Sequence, residues 1–316
     1  MTSEVVYVIL AHDQNPQTTR LARAIVRSSP NGRVLMALDA RGGADPPTSD
    51  DPRIDVFVHG YASDWGSWEL VQATLEALRL VRDRYDPDMV VLVSGSDYPV
   101  MPLGEWEAAA LEEDTWHGDA DVLAYRPRWG RTLGEGDDRL TRYTYRWYRP
   151  PWGSWARTAP RWWWRIHAAV ALRAEPIFSV RVVTRGRGLH YGFRRVRTPF
   201  DEAHSCYIGS QWFAAPRRVL AALLDEGLVA GGRLQRLYRR SVIPDESAIV
   251  TALAWRFPKS TLPPVTHVRW DALADRPVVW TVEDLPEILQ SGSPFCRKVD
   301  PMLSASLLEV LDGRVA

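Results

Sequence analysis

Three side chains near the end of this chain have the types needed to do chemistry together. Glu246 follows a turn-forming Pro244-Asp245, and Arg276 and Lys298 stand at the two ends of RPVVWTVEDLPEILQSGSPFCRK. A glutamate can act as general base toward a hydroxyl. Fixed cations can stabilise negative charge that builds on a departing anion. Together they suit transfer of a group from an anionic carrier to a hydroxyl. Lys298 is not the default cation of this chain, since only Lys259 and Lys298 are lysines against 37 arginines. Each residue also has a plainer reading: Glu246 as an acid favoured by a helix dipole, and the two cations as solvated surface charges.

These groups need a frame, and the first hundred residues supply one. Val5 to Ala11 is an unbroken apolar run, as expected of a strand buried on both faces. Further strands are expected at Arg33 to Leu38, Ile54 to Val58 and Met89 to Val93, with helices from Thr18 to Arg27 and from Ser67 to Tyr85. This alternation predicts a mostly parallel α/β sheet with helices on both faces. Ligands of such sheets bind beyond the carboxyl ends of the strands. Here that edge carries His12-Asp13, Asp39 and the loop Ser94 to Val100 with Asp97. The plainer role for Asp97 is to cap a helix at Leu103 to Leu111.

From Arg126 the texture changes. Between Arg126 and Arg197 there are 17 arginines and 4 acidic residues, although the whole chain has a formal net charge of zero. RYTYRWYRPPWGSWARTAPRWWWRIHAAVALRA alone holds six of the fifteen tryptophans. It lacks strand periodicity, and loops with a helix from Arg161 to Arg173 are expected. The domain reading is one domain over 1–316, with 126–200 as a basic aromatic insertion on the acceptor side. Trp152 and Trp155 there can stack on sugar rings, as can Trp212 of GSQWF (Gly209 to Phe213). The same composition suits a membrane surface or single-stranded nucleic acid. Trp162, Trp163 and Trp164 can equally pack a helix onto the core.

Other constellations are weaker. Asp119-Ala120-Asp121 has the spacing of a carboxylate pair on a divalent ion, at a strand entrance. His12-Asp13 and His204-Ser205-Cys206 lack partners at zinc spacing, so no metal site is expected. Cys206 and Cys296 are too few for a disulfide scaffold and read as buried thiols. No stretch reaches the roughly 18 apolar residues of a membrane span, and no signal peptide is visible. The expectation is a cytoplasmic protein, with peripheral attachment to a membrane as a variant of it.

An ordered set of segments carries a resemblance. VILAHD (Val8 to Asp13), ALDAR (Ala37 to Arg41), WGSWELVQATLEAL (Trp65 to Leu78), VSGSDYPV (Val93 to Val100), GSQWF, PDE, VRW (Val268 to Trp270) and the Arg276 to Lys298 stretch follow one another. In this the chain resembles the core-2/I-branching β-1,6-N-acetylglucosaminyltransferase and peptide-O-xylosyltransferase family, glycosyltransferase family 14. The resemblance implies a GT-A-type, Rossmann-like fold and an inverting transfer from a UDP-sugar that needs neither metal nor other cofactor. It makes Glu246 the base and places Arg276 and Lys298 on the diphosphate. His12 and Asp39 fall at the uridine pocket, with Asp97 on the same donor side, and Trp270 resembles an acceptor-stacking aromatic. Donor and partner would be a UDP-sugar, with N-acetylglucosamine or xylose favoured, and a glycan, small-molecule or lipid-linked acceptor. Unlike Golgi members, the chain shows no N-terminal anchor and few cysteines, which fits a bacterial relative. The Trp/Arg insertion does not align with the branching enzymes, so a glycoprotein acceptor does not carry over. The rival reading is a non-catalytic carbohydrate- or membrane-binding protein on a degenerate scaffold. Nucleic acid is not an expected partner, because only the basic lobe favours it.

Overall fold

The computed structural model describes residues 3–12, 15–42, 49–124, 139–174, 177–183, 186–271 and 276–315. The apolar run at the start becomes β1 (Val5–Ala11), the central strand of a five-stranded sheet. β2 (Gly32–Asp39) and β4 (Met89–Ser94) flank it in parallel, and β3 (Ile54–His59) extends the sheet beside β2. β11 (Ala214–Pro216) closes the β4 edge antiparallel. The sheet is thus mixed but rich in parallel pairing, and helices cover both faces.

Side-chain alternation along β1 decides which helix goes where. Val5, Tyr7 and Ile9 join one buried core with Leu21 and Ile25 of α1 (Pro16–Ser28) and Leu307 and Leu311 of α10 (Ala305–Val315). Val6, Val8 and Leu10 join the opposite core with Val71, Leu75 and Leu78 of α2 (Trp68–Tyr85) and Ile249 and Leu253 of α8 (Ala248–Ala254). Each fully buried aliphatic side chain is worth about 1.5–3 kcal/mol, so a one-residue slip of β1 would exchange two cores. Local signals set the helix starts. The Asn15 side chain accepts from the Thr18 amide and Ser67 from the Leu70 amide, while α2 stops at Asp86 in the left-handed region.

Further helices are α3 (Leu103–Glu112), α4 (Thr141–Thr144), α5 (Arg161–Ala174), α6 (Arg217–Ala222), α7 (Arg233–Tyr238) and α9 (Leu285–Gln290). Two small sheets extend the carboxyl edge. β13 (Phe295–Arg297) lies between β12 (Thr266–Val268) and β5 (Asp97–Pro99). β6 (Ala120–Val122) pairs with β10 (Tyr207–Gly209). A Cβ on Gly209 would sit 1.8 Å from the Asp119 carbonyl oxygen, so only glycine permits that approach. The stretch Ser94 to Val100 is therefore not all loop. The partner strand β13 lies some two hundred residues away, beyond any local pattern.

The basic segment also departs from expectation. Its helix falls where it was expected, as α5, but the loops around it include a three-stranded antiparallel sheet. β9 (Gly188–Arg194) lies between β7 (Tyr145–Tyr148) and β8 (Phe178–Val183). Tyr145 and Trp147 point inward while Arg146 and Tyr148 face out, and Arg181 on β8 is buried. An outward tyrosine and an inward arginine blur the apolar-polar alternation that marks a strand. Arg126 to Asp138 of this segment, and Asp13, lie outside the described residues.

Candidate functional site

The carboxyl ends of β1, β2 and β3 converge on one acidic anchor. Asp39, the last residue of β2, is buried, and Oδ2 accepts from the Ser63 amide (3.0 Å) and hydroxyl (2.8 Å). Arg41 grips the same carboxylate through its guanidinium, at 2.6 Å to Oδ2, and through its own amide. Burial works to raise the Asp39 carboxyl, yet Arg41 and Ser63 hold it well below the usual carboxylate range. His12, exposed just after β1, has Nδ1 3.4 Å from the Ser63 hydroxyl. His59 at the end of β3 is buried, and that burial lowers its pKa, with Asp39 pulling the other way. His12 and Asp39, expected together, are joined by a serine that the sequence did not single out.

The network extends into the basic segment. Arg41 also donates to Asp64 (2.9 Å), and Asp64 accepts from Arg187 (3.0 Å). Arg187 further donates to Glu69 (2.9 Å) and the Ala62 carbonyl (3.1 Å). Arg187 lies just before β9. The stretch from Gly60 to Ser67 between β3 and α2 is thus clamped from the sheet on one side and from the basic lobe on the other.

A second cluster stands at the end of β4. Gly95 donates its amide to the Leu10 carbonyl, tying the β4 exit to β1, and the Val299 amide bonds to the Ser96 carbonyl. Asp97 is fully buried. Its oxygens receive Arg297 Nε (2.5 Å) and a terminal nitrogen (3.0 Å), the Ser94 amide (2.9 Å) and Thr266 (3.4 Å). Burial pushes this carboxyl up, and Arg297 and the hydrogen bonds pull against it. Asp97 is thus engaged by Arg297, Ser94 and Thr266. It does not cap α3, whose first amide at Leu103 bonds to the Ser28 hydroxyl instead. The other face of Arg297 covers the Trp212 ring, 4.0 Å from its centroid. Trp212 is thus occupied as a cation-π partner.

Lys298 is the next residue. Its amide bonds to the Val278 carbonyl (3.3 Å) and its carbonyl receives the Trp280 amide (2.9 Å). The Val278 amide in turn bonds to the Arg269 carbonyl, and Trp270 bridges Pro277. Arg276 and Trp270, both exposed, therefore sit on segments laced to the backbone of Lys298. Arg269 is engaged elsewhere: it lies over Trp280 and pairs with Asp284 and Glu287.

Glu246 ends the 3-10 turn Pro244–Glu246. Arg142 of α4 donates to its Oε2 at 2.8 Å. The turn is fixed from below, since the Ile243 amide bonds to the Gly66 carbonyl and Tyr143 donates to the Ile243 carbonyl. Gly66 belongs to the same stretch that supplies Ser63 to Asp39. Ser247 donates to the Tyr207 carbonyl, linking the turn to β10 and so to the segment bearing Gln211 and Trp212.

The remaining expectations scatter. Asp119 is exposed with Lys259 3.9 Å away, and Asp121 is exposed on β6. His204 pairs with Asp201, while Cys206 is buried beside Ser247, its thiol pushed up to about 12 by burial. Trp152 and Trp155 are half-exposed and pack edge-on against Tyr191 and Trp163, within the basic segment. Sequence reasoning missed Arg297, Arg142, Ser63, Asp64 and Arg187. Among 37 arginines only the partner met in the fold distinguishes a structural one. A shallow depression of about 670 Å³ on the opposite edge, lined by Arg23, Val26, Arg27 and Ser49 to Arg53, is remote from these groups.

No protein-family model and no curated protein matches the chain. Among solved structures, that of TarS 1-349 of S. aureus is 14% identical to it. The match covers 42% of this chain and 38% of that one with a TM-score of 0.24, too low to carry an argument. The mixed α/β fold with its parallel-rich sheet accordingly rests on the strand pairing of the chain itself.

Proposed function

We propose that the chain is an inverting glycosyltransferase that moves a sugar, N-acetylglucosamine or xylose, from UDP to a hydroxyl of a glycan or small-molecule acceptor. The observation that carries this reading is the setting of Glu246. It is a half-buried carboxylate, oriented by Arg142, on a turn anchored to the same stretch that engages Asp39. In this reading His12 and Asp39 serve the uridine end of the donor, and Arg276 and Lys298 take the diphosphate. Glu246 accepts the proton of the acceptor hydroxyl as its oxygen bonds to the anomeric carbon. The bond from that carbon to the β-phosphate oxygen breaks, and its electron pair leaves with UDP. The two cations meet the charge that develops there, a task a divalent ion would otherwise perform. Asp97 acts indirectly by holding Arg297, and Arg297 holds Trp212. Trp270, exposed beside Arg276, is the aromatic best placed to stack on an acceptor, with Trp152 and Trp155 further out.

The test is a panel of UDP-sugars with EDTA present, following UDP release and thermal shift. One donor should be preferred, and Glu246→Gln should keep its thermal shift while losing about 10²–10⁴-fold in transfer. Normal transfer by Glu246→Gln removes the base assignment. Binding of glycans without response to any UDP-sugar supports the non-catalytic reading instead.

A further inference from the structure

The outer face of α5 reverses the usual order of a surface helix. Trp162, Ile166 and Val170 recur at every fourth residue and are 62%, 53% and 46% exposed. Ile177, joined to the helix end by its amide on the Ala174 carbonyl, is 73% exposed. The inward face is already satisfied: Ala171 is buried, and Trp163 packs against His167 with the rings tilted and their centroids 3.7 Å apart. Trp155, half-exposed, stands edge-on to Trp163 next to Trp162. A surface helix normally turns charged residues outward. This one turns out a tryptophan and aliphatics, with exposed Arg165 and Arg173 on the same side.

We infer that this face docks on an anionic lipid bilayer surface, with Trp162, Ile166, Val170 and Ile177 entering the headgroup boundary and Arg165 and Arg173 meeting lipid phosphates. Tryptophan and arginine with aliphatics on one helix face are the composition of an interfacial helix. The charge selects the occupant. With 17 arginines against 4 acidic residues between Arg126 and Arg197, a second copy of this chain would bring like charge to like charge. Ile166, Val170 and Ile177 offer no ring to stack on a base or a sugar, whereas an acyl boundary accepts them. An anionic bilayer satisfies both halves of the face. The inference does not depend on the sugar chemistry proposed above.

The test is co-sedimentation of the full chain with vesicles of phosphatidylcholine, with and without phosphatidylglycerol, at low and high salt. The chain should pellet with the anionic vesicles at low salt and be released as salt rises. Arg165→Gln with Arg173→Gln should lower the partition coefficient roughly 25-fold, about fivefold per arginine. Trp162→Ser with Ile166→Ser should lower it at least about tenfold through lost apolar burial. These side chains are exposed, so the variants should melt like the parent. If either pair is unstable, quenching of parent tryptophan fluorescence by brominated anionic lipid decides. Failure to pellet with or be quenched by anionic vesicles overturns the inference. So does equal binding to neutral vesicles, binding unchanged in both stable variants, or a dimer that Trp162→Ser abolishes.

Discussion

Replacing Arg297 with methionine tests the electrostatics of the site most directly. Asp97 has no solvent exposure, and Arg297 supplies two of its hydrogen bonds; the Ser94 amide and Thr266 would remain. Removing one member of a buried ion pair typically costs about 3–5 kcal/mol, because the other charge is stranded. For a chain of this length that lowers Tm by roughly 5–10 °C. Burial already pushes the Asp97 carboxyl up, and without Arg297 the Ser94 amide and Thr266 are left to oppose it. Its folded pKa then stands above the unfolded value of about 3.9. Stability linked to that proton is fully present below the unfolded value and is lost as pH rises through the folded one. Urea midpoints of Arg297→Met should therefore recover as pH falls from neutrality toward 5. Adding Asp97→Asn should restore most of the loss, since the amide oxygen can still accept from Ser94. The double-mutant cycle should give a coupling of about 2 kcal/mol or more. A single variant costing under about 1 kcal/mol, with no recovery at lower pH, would refute the view of Asp97 as a buried charge held by Arg297.

Four further outcomes follow, the first two from the proposed function and the last two from packing and burial. Arg142→Met frees Glu246 from its orienting partner and should cut transfer about 100-fold with UDP affinity kept, read by single-turnover kinetics and calorimetry. Lys298→Ala should instead weaken UDP binding itself in the same calorimetric titration. Gly209→Ala drives a Cβ into the Asp119 carbonyl and should cost about 1–3 kcal/mol in urea denaturation, with altered tryptophan fluorescence as Trp212 shifts. His190 is held neutral by burial, its pKa pushed down to about 4 despite the Gly188 carbonyl acceptor. A depressed histidine contributes stability above its unfolded pKa near 6.5 and loses it as pH falls toward 4. His190→Asn should flatten that decline by up to about 3 kcal/mol in urea midpoints.

The frame was legible and the clamps were not. β1 announced itself because seven apolar residues in a row have only one comfortable place, and Ser67 announced α2 because a serine before an amphipathic run caps a helix. β5 was missed because a three-residue strand exists only through its partner β13, and nothing near Asp97 encodes that pairing. Arg297 was hidden for the same reason. It sits beside Lys298 in sequence, yet strand alternation turns it toward Asp97 and Trp212, a direction visible only once β13 is known to be a strand. Asp39 was found from its place at a strand end, but not Ser63, which a loop returns to it. Types and order can be read from one dimension. Which arginine meets which carboxylate depends on contacts distant in sequence.

Those contacts give the basic segment a different meaning from the one its composition suggests. Read as a sequence, it is a lobe of positive charge and aromatic rings. In the fold, two of its arginines pair with carboxylates of the candidate site and do separate jobs. Arg187 holds Asp64 and Glu69, which fixes the stretch that positions Ser63 against Asp39. Arg142 holds Glu246. The two ends of the candidate site, the acidic anchor at β2 and the glutamate on its 3-10 turn, thus both depend on one segment for orientation. Charge-assisted pairs of this kind set geometry more than they add stability. Displacing that segment would disturb both ends together, and whatever its outer face docks against is mechanically connected to Glu246 through Arg142 and to Asp39 through Arg187, Asp64 and Arg41.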